Sequence, residues 1–130
     1  MKNENDSLIA NDRFAKYIGI ELVRAQSGYA LARMEIKDCH LNGVNVVQGG
    51  ALFTLADFAF AAAATADGVA TLSIDAHISY FKSPQGKLLT AEAREIAAGR
   101  KLCHYQVDIF DENREQVARF TATGYRRTVK

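Results

Sequence analysis

Residues 42–66 read NGVNVVQGGALFTLADFAFAAAATA, and the reading of this stretch decides the fold. It holds one charged residue, Asp57, and after the Gly49-Gly50 pair it runs on without glycine or proline. Ala51, Leu52, Leu55, Ala56, Ala59, Phe60 and Ala63 fit the period of an α-helix. Apolar residues also cover most of the other faces, so the helix is predicted to be enclosed by protein on several sides. A membrane span is a poor fit: the stretch is mostly alanine, and a mid-span aspartate costs about 2.5–3.5 kcal/mol.

A carboxylate in such a helix either shifts its pKa upward or finds partners. Two readings of Asp57 follow. It bonds a nearby hydroxyl, such as Thr54 one turn back, and does no chemistry; or it is a reactive group. Gly49 and Gly50 also allow two readings. The first N–H groups of a helix lack internal partners and carry partial positive charge, and glycine lets a substrate oxygen approach them. Close packing of the helix end would use the same glycines. In the first reading of the pair, an oxyanion site and a base or nucleophile share one element.

Outward from the helix, residues 1–7 are polar and expected to be mobile. Residues 8–18 read as a short amphipathic helix stopped by Gly19. Residues 20–26 and 29–36 read as a hairpin about a Ser27-Gly28 turn. Asn42-Gly43 is a turn dipeptide in the loop before the long helix, and Asp67-Gly68 is the stop signal after it. Residues 69–81 alternate throughout, with Leu72, Ile74, Ala76, Ile78 and Tyr80 on one face and Ser73, Asp75, His77 and Ser79 on the other. Three further strands follow over 88–97, 102–110 and 116–126. Strand runs around one central helix predict an α+β fold with an antiparallel sheet curled about that helix. The strand over 69–81 is a candidate edge for pairing with a second copy.

The chain has 130 residues, 24% of them charged, and a net charge of +1, which argues against coating nucleic acid or an anionic membrane. One domain over 1–130 is expected. Cys39 and Cys103 have no metal-ligand or disulfide spacing, and the polar start MKNENDS is not a secretory leader, so a cytoplasmic protein is the simplest expectation.

Asn42-Gly43, Gln48-Gly49-Gly50, Leu55-Ala56-Asp57, Ser73-Ile74-Asp75 and Ser79-Tyr80-Phe81 together resemble the hotdog-fold acyl-CoA thioesterases, and most of all their phenylacetate-pathway (PaaI-like) branch. The resemblance runs from about Phe14 to Arg126. It implies a curved antiparallel sheet wrapped around the long helix. It also implies homodimers with active sites at the dimer interface, often paired into tetramers. The implied substrate is an acyl-CoA or arylacyl-CoA, hydrolysed to free acid and coenzyme A, with no separate cofactor and no metal. By the same resemblance, Asp57 matches the catalytic carboxylate, as nucleophile or general base. The Gly49 N–H matches the oxyanion donor, and Asn42 an amide that holds the carbonyl or water from the subunit opposite Asp57. Ser73 matches a hydroxyl that positions the water. Gln48 stands where the family has histidine, and glutamine cannot titrate near neutrality.

Gly50, Thr54, Phe53, Phe60 and Lys82 are the candidate substrate contacts. Phe53 and Phe60 lie within a turn of Asp57. Lys82, with Arg100, Lys101, Arg126 and Arg127, is either solvated charge or a partner for coenzyme A phosphates. Ser73, Asp75 and His77 do not form a triad, because neighbours on one strand face point in parallel. His40 and His104 read as structural or exposed, and Cys39 as a packed thiol. Two other functions are weighed: an acyl-CoA-binding protein without turnover, motivated by Gln48, and a dehydratase, which would want a histidine beside Asp57.

Overall fold

A computed structural model describes residues 9–127; the expected mobile segment 1–7 and the predicted helix start at Leu8 lie outside them. The order of elements is α1 (Arg13–Ile18), β1 (Ile20–Gln26), β2 (Tyr29–Glu35), α2 (Gly49–Ala64), β3 (Thr71–Tyr80), β4 (Leu88–Ala98), β5 (Leu102–Phe110) and β6 (Gln116–Arg126). The six strands form one antiparallel sheet in the order β1-β2-β4-β5-β6-β3. This is the hotdog arrangement: the sheet curves about α2, which touches every strand.

The closeness of helix and sheet comes from alanine. Ala30 pairs with Ala93 and Ala32 with Ala91, and all four are 0% exposed beneath α2. Ala56, Ala59, Ala62, Ala63 and Ala64 line the helix side. Larger groups fill the rest of the core. Phe60 meets Tyr105 edge-on at 5.3 Å, and Phe53 meets Phe120 edge-on at 5.2 Å.

Local chemistry fixes the boundaries. The Asp12 side chain caps α1 by accepting from the Ala15 N–H at 2.9 Å, so α1 starts at Arg13; residues 9–10 are also helical, and the stretch read as one helix is interrupted at residues 11–12. Gly19 ends it with φ 90° and donates to Ala15 and Lys16 carbonyls. The Ser27-Gly28 turn joins β1 and β2 as predicted, with Gln26 opposite Tyr29. In the loop before α2, the left-handed residue is Asn45 (φ 64°) and not Gly43.

β3 departs from its sequence pattern. The register slips between Ser73 and Asp75, leaving Ile74 as an extra residue opposite β6. Residues directly opposite share a face. Thr71 and Ser73, opposite Arg126 and Gly124, therefore lie on the helix side with Ala76 and Ile78, while Leu72 turns outward with Asp75 and His77. The alternation read over 69–81 is thus two half-patterns joined by a bulge.

Candidate active site

α2 begins with Gln48 as its N-cap (φ −65°, ψ 140°), and the Gln48 side chain makes no capping hydrogen bond. The Gln48 carbonyl takes the Ala51 and Leu52 amides, at 3.0 and 3.3 Å. The Gly49 and Gly50 amides find no acceptor among the described residues. At Gly49 the Tyr80 ring stands where a side chain would be, whereas at Gly50 only the flexible end of the exposed Gln48 side chain is close. A Cβ on Gly49 would lie 2.8 Å from the Tyr80 hydroxyl, and one on Gly50 would lie 2.8 Å from the Gln48 Oε1. The Tyr80 hydroxyl in turn donates to the Gly49 carbonyl at 3.0 Å. The helix end is therefore closed by Tyr80 at Gly49 and open along its N–H groups.

Asn42 organises the loop that precedes this end. Its Oδ1 accepts from the Val44 and Val46 amides, at 3.0 and 3.1 Å. That leaves its Nδ2 as a free donor among the described residues, on an exposed residue.

Asp57 sits on the half-exposed stripe of α2 with Phe53, Thr54 and Ala61. It makes no hydrogen bond or ion pair among the described residues. Thr54 is not its partner, because the Thr54 hydroxyl donates to the Gly50 carbonyl at 2.8 Å instead. Burial first, and the nearby Asp12 carboxylate second, hold the Asp57 carboxyl above its ordinary value.

The helix rise of 1.5 Å per residue puts Asp57 about 12 Å along the axis from Gly49. The two groups cannot act on one carbonyl from a single chain, contrary to the reading in which both serve one site on one element.

Ser73 is exposed on the helix side of the edge strand β3. Gly50 and Thr54 border a cavity of about 320 Å³ with Gln48, Phe14, Cys39 and Leu41. Phe53 is half-buried, whereas Phe60 is 1% exposed and packs in the core. Lys82 is ion-paired with Glu115, so its charge is already matched within the chain. Cys39 is exposed, a correction to the packed-thiol reading; the buried residue of the pair is His40. Among the described residues no group of three His, Cys, Asp or Glu side chains could hold a metal.

Two further residues support the helix start. Tyr80, quoted in the motif Ser79-Tyr80-Phe81 without a role, clamps the Gly49 carbonyl, and His40 is structural, one of the two readings the sequence offered. His40, 3% exposed, accepts from the Lys37 N–H at Nδ1 (2.9 Å) and meets the Ile18 carbonyl at Nε2 (2.7 Å), which fixes the Nε2–H tautomer. Its own carbonyl accepts from the Gln48 amide at 2.8 Å. His40 thereby ties the end of α1 to the start of α2. We expect His40→Ala to lower stability by about 3 kcal/mol, since two hydrogen bonds are lost and buried groups are left unsatisfied. A thermal melt compared with the parent protein measures this.

Residues 44–118 match the model of the thioesterase superfamily. A protein of Archaeoglobus fulgidus is 34% identical over 93% of this chain and 79% of its own length. The acyl-coenzyme A thioesterase PaaI of Escherichia coli is 31% identical over 92% of this chain and 86% of its own. The solved structure of the E. coli PaaI protein superposes with a TM-score of 0.89, covering 94% of this chain and 89% of that one. A Streptococcus pneumoniae protein solved with coenzyme A shares the fold (TM-score 0.86, 23% identity, 96% of this chain and 98% of that one).

Proposed function

The chain belongs to the thioesterase superfamily, and on that premise we propose that it hydrolyses acyl-CoA or arylacyl-CoA thioesters to the free acid and coenzyme A, at sites shared between two subunits. The observation that carries the reading is Asp57: a half-buried carboxylate without a partner among the described residues, about two turns from an open helix N-terminus. The thioester carbonyl is polarised by the Gly49 N–H of one subunit, with the Asn42 Nδ2 beside it. Asp57 of the other subunit attacks that carbonyl, or takes the proton of a water that does. Ser73 holds the water. The carbonyl carbon gains an oxygen, its bond to sulfur breaks, and the thiolate leaves as coenzyme A with a proton from the water; where Asp57 itself attacks, water then hydrolyses the acyl–Asp57 anhydride to the free acid and restores the carboxylate.

The edge strand supports the shared site. Among the described residues β3 has no neighbour on its outer side, and Leu72, Ile74, Tyr80 and the adjoining Phe81 are 51–65% exposed. Such an apolar edge is covered by a second copy pairing antiparallel across a two-fold axis. Dimers of that kind then associate into tetramers. No helix among the described residues is long and apolar enough to cross a membrane.

Gln48 motivates the second reading, an acyl-CoA-binding protein without turnover. Release of free thiol over a panel of acyl-CoAs separates the two. Turnover supports hydrolysis, and tight binding of coenzyme A esters with no thiol release overturns it. Because Gln48 makes no capping bond and cannot move a proton, Gln48→Ala is expected to reduce kcat/KM by less than about tenfold, below the usual range for loss of an acid–base group.

A further inference from the structure

The start of α2 lacks the usual means of holding a first turn. Its N-cap, Gln48, makes no side-chain bond to the helix, and two glycines follow, with more backbone freedom than any other residue type. Helix ends of that kind fray. Yet the open Gly49 and Gly50 amides stand here, and a donor serves a developing charge only if its direction is fixed beforehand. Each amide is coplanar with the carbonyl before it, so whatever holds that carbonyl aims the amide. For the Gly49 N–H the carbonyl is that of Gln48, which takes the Ala51 and Leu52 amides from within the helix. For the Gly50 N–H it is that of Gly49, and there the sheet intervenes: the Tyr80 hydroxyl, from β3, donates to it at 3.0 Å. A carbonyl oxygen accepts two donors, so this bond adds to those of the helix. The ring completes the clamp. A Cβ on Gly49 would lie 2.9 Å from the Tyr80 Cζ, so the ring lies against the side of Gly49 that carries no side chain.

We propose that Tyr80 is a positioning residue for thioester hydrolysis: from β3 it locks the Gly49–Gly50 peptide, and with it the donors at the head of α2, in the direction that the thioester oxygen requires. The proposal rests on the acyl-CoA reading above and adds a residue to it. Tyr80 acts through the backbone and not on the reacting atoms. Its bond also draws electron density toward the Gly49 oxygen, which makes the Gly50 N–H a stronger donor. Because β3 is the edge strand, the clamp ties the donors of each site to the edge read as the dimer contact.

The test compares the parent protein with Tyr80→Phe, which keeps the ring and removes only the hydroxyl. Over a panel of acyl-CoAs kcat should fall about tenfold, by a similar factor for each ester, short of the 10²–10³ that loss of a donor itself costs. KM should stay within about twofold of the parent value. The melting temperature should stay within about 5 °C, and the acidic limb of the pH profile should keep its midpoint, since Asp57 is untouched. The amide nitrogen resonance of Gly50 should move to lower frequency, a readout that needs no turnover. Gly49→Ala supplies the second variant, because its methyl group displaces the Tyr80 hydroxyl. In that background Tyr80→Phe should lower kcat by less than about twofold. Unchanged kcat in Tyr80→Phe, a rise in KM alone, full multiplication of the two effects or an unmoved Gly50 resonance overturns the proposal and leaves the thioesterase reading standing. A parent that releases no thiol from any ester removes both.

Discussion

Asp57→Ala is expected to abolish most thiol release, lowering kcat by about 10²–10⁴-fold, the range that a positioned acid–base group contributes. The protein should remain folded, because Asp57 makes no hydrogen bond or ion pair among the described residues. The pH profile supplies a second readout. Burial and the Asp12 carboxylate raise the folded-state pKa of Asp57, and the reactive form is ionised. Activity should therefore fall as pH drops through a pKa above the ordinary carboxylate range. Stability runs the other way. With the folded pKa above the unfolded one, the neutral form is favoured in the fold. The associated stability is fully present below the unfolded pKa and is lost as pH rises through the folded one. Asp57→Asn should then melt higher than the parent at neutral pH and match it in acid. Retained turnover in Asp57→Ala would remove this residue from its role.

Gly124→Val is expected to cost about 3 kcal/mol or more through overpacking, enough to lower the melting temperature by about 10 °C. Gly124 lies in β6 opposite Ser73, at the point where β3 bulges. A Cβ there would lie 2.6 Å from the Thr71 Cγ2, 2.9 Å from the Phe60 Cζ and 3.0 Å from the Cys103 Sγ. None of these neighbours has room to retreat: Phe60 and Cys103 are buried in the core, and the Thr71 hydroxyl donates to the Val69 carbonyl at 3.2 Å. Gly43→Ala is the matched control. Nothing lies within 4 Å of its Cβ position and its φ is not positive, so alanine there should be neutral or stabilise by up to about 1 kcal/mol. Equal melting temperatures for the two variants would show that the crowding at Gly124 relaxes without cost.

The long helix and the order of six strands were legible because each buries one repeated face, and hydrophobic spacing records that directly. The bulge at Ile74 was not. No glycine or proline marks it in β3, and it is defined only against the neighbouring strand, where Gly124 stands opposite Ser73. A pattern confined to one strand cannot report it, so Ser73 was assigned to the face of Asp75 and His77. The candidate site residues Asp57, Gly49 and Asn42 were readable as residue types in a pattern. Their distribution was harder: glycine-opened amides and a carboxylate eight residues apart look adjacent on paper, and the helix rise separates them. Thr54 as a partner for Asp57 was misread because its hydroxyl has a nearer acceptor, the Gly50 carbonyl one turn back.

The alanine contact between α2 and the sheet has one more consequence. Alanine loses no rotamer entropy when it is buried, so ordering this contact costs less than ordering a contact of longer side chains would. The same property removes the usual means of adjustment. Methyl groups facing methyl groups cannot swing aside to absorb a shift, and the helix either keeps its place or leaves it as a unit. Asp57 is carried on a backbone held in this way, and the orientation of its carboxylate is set by the helix as a whole.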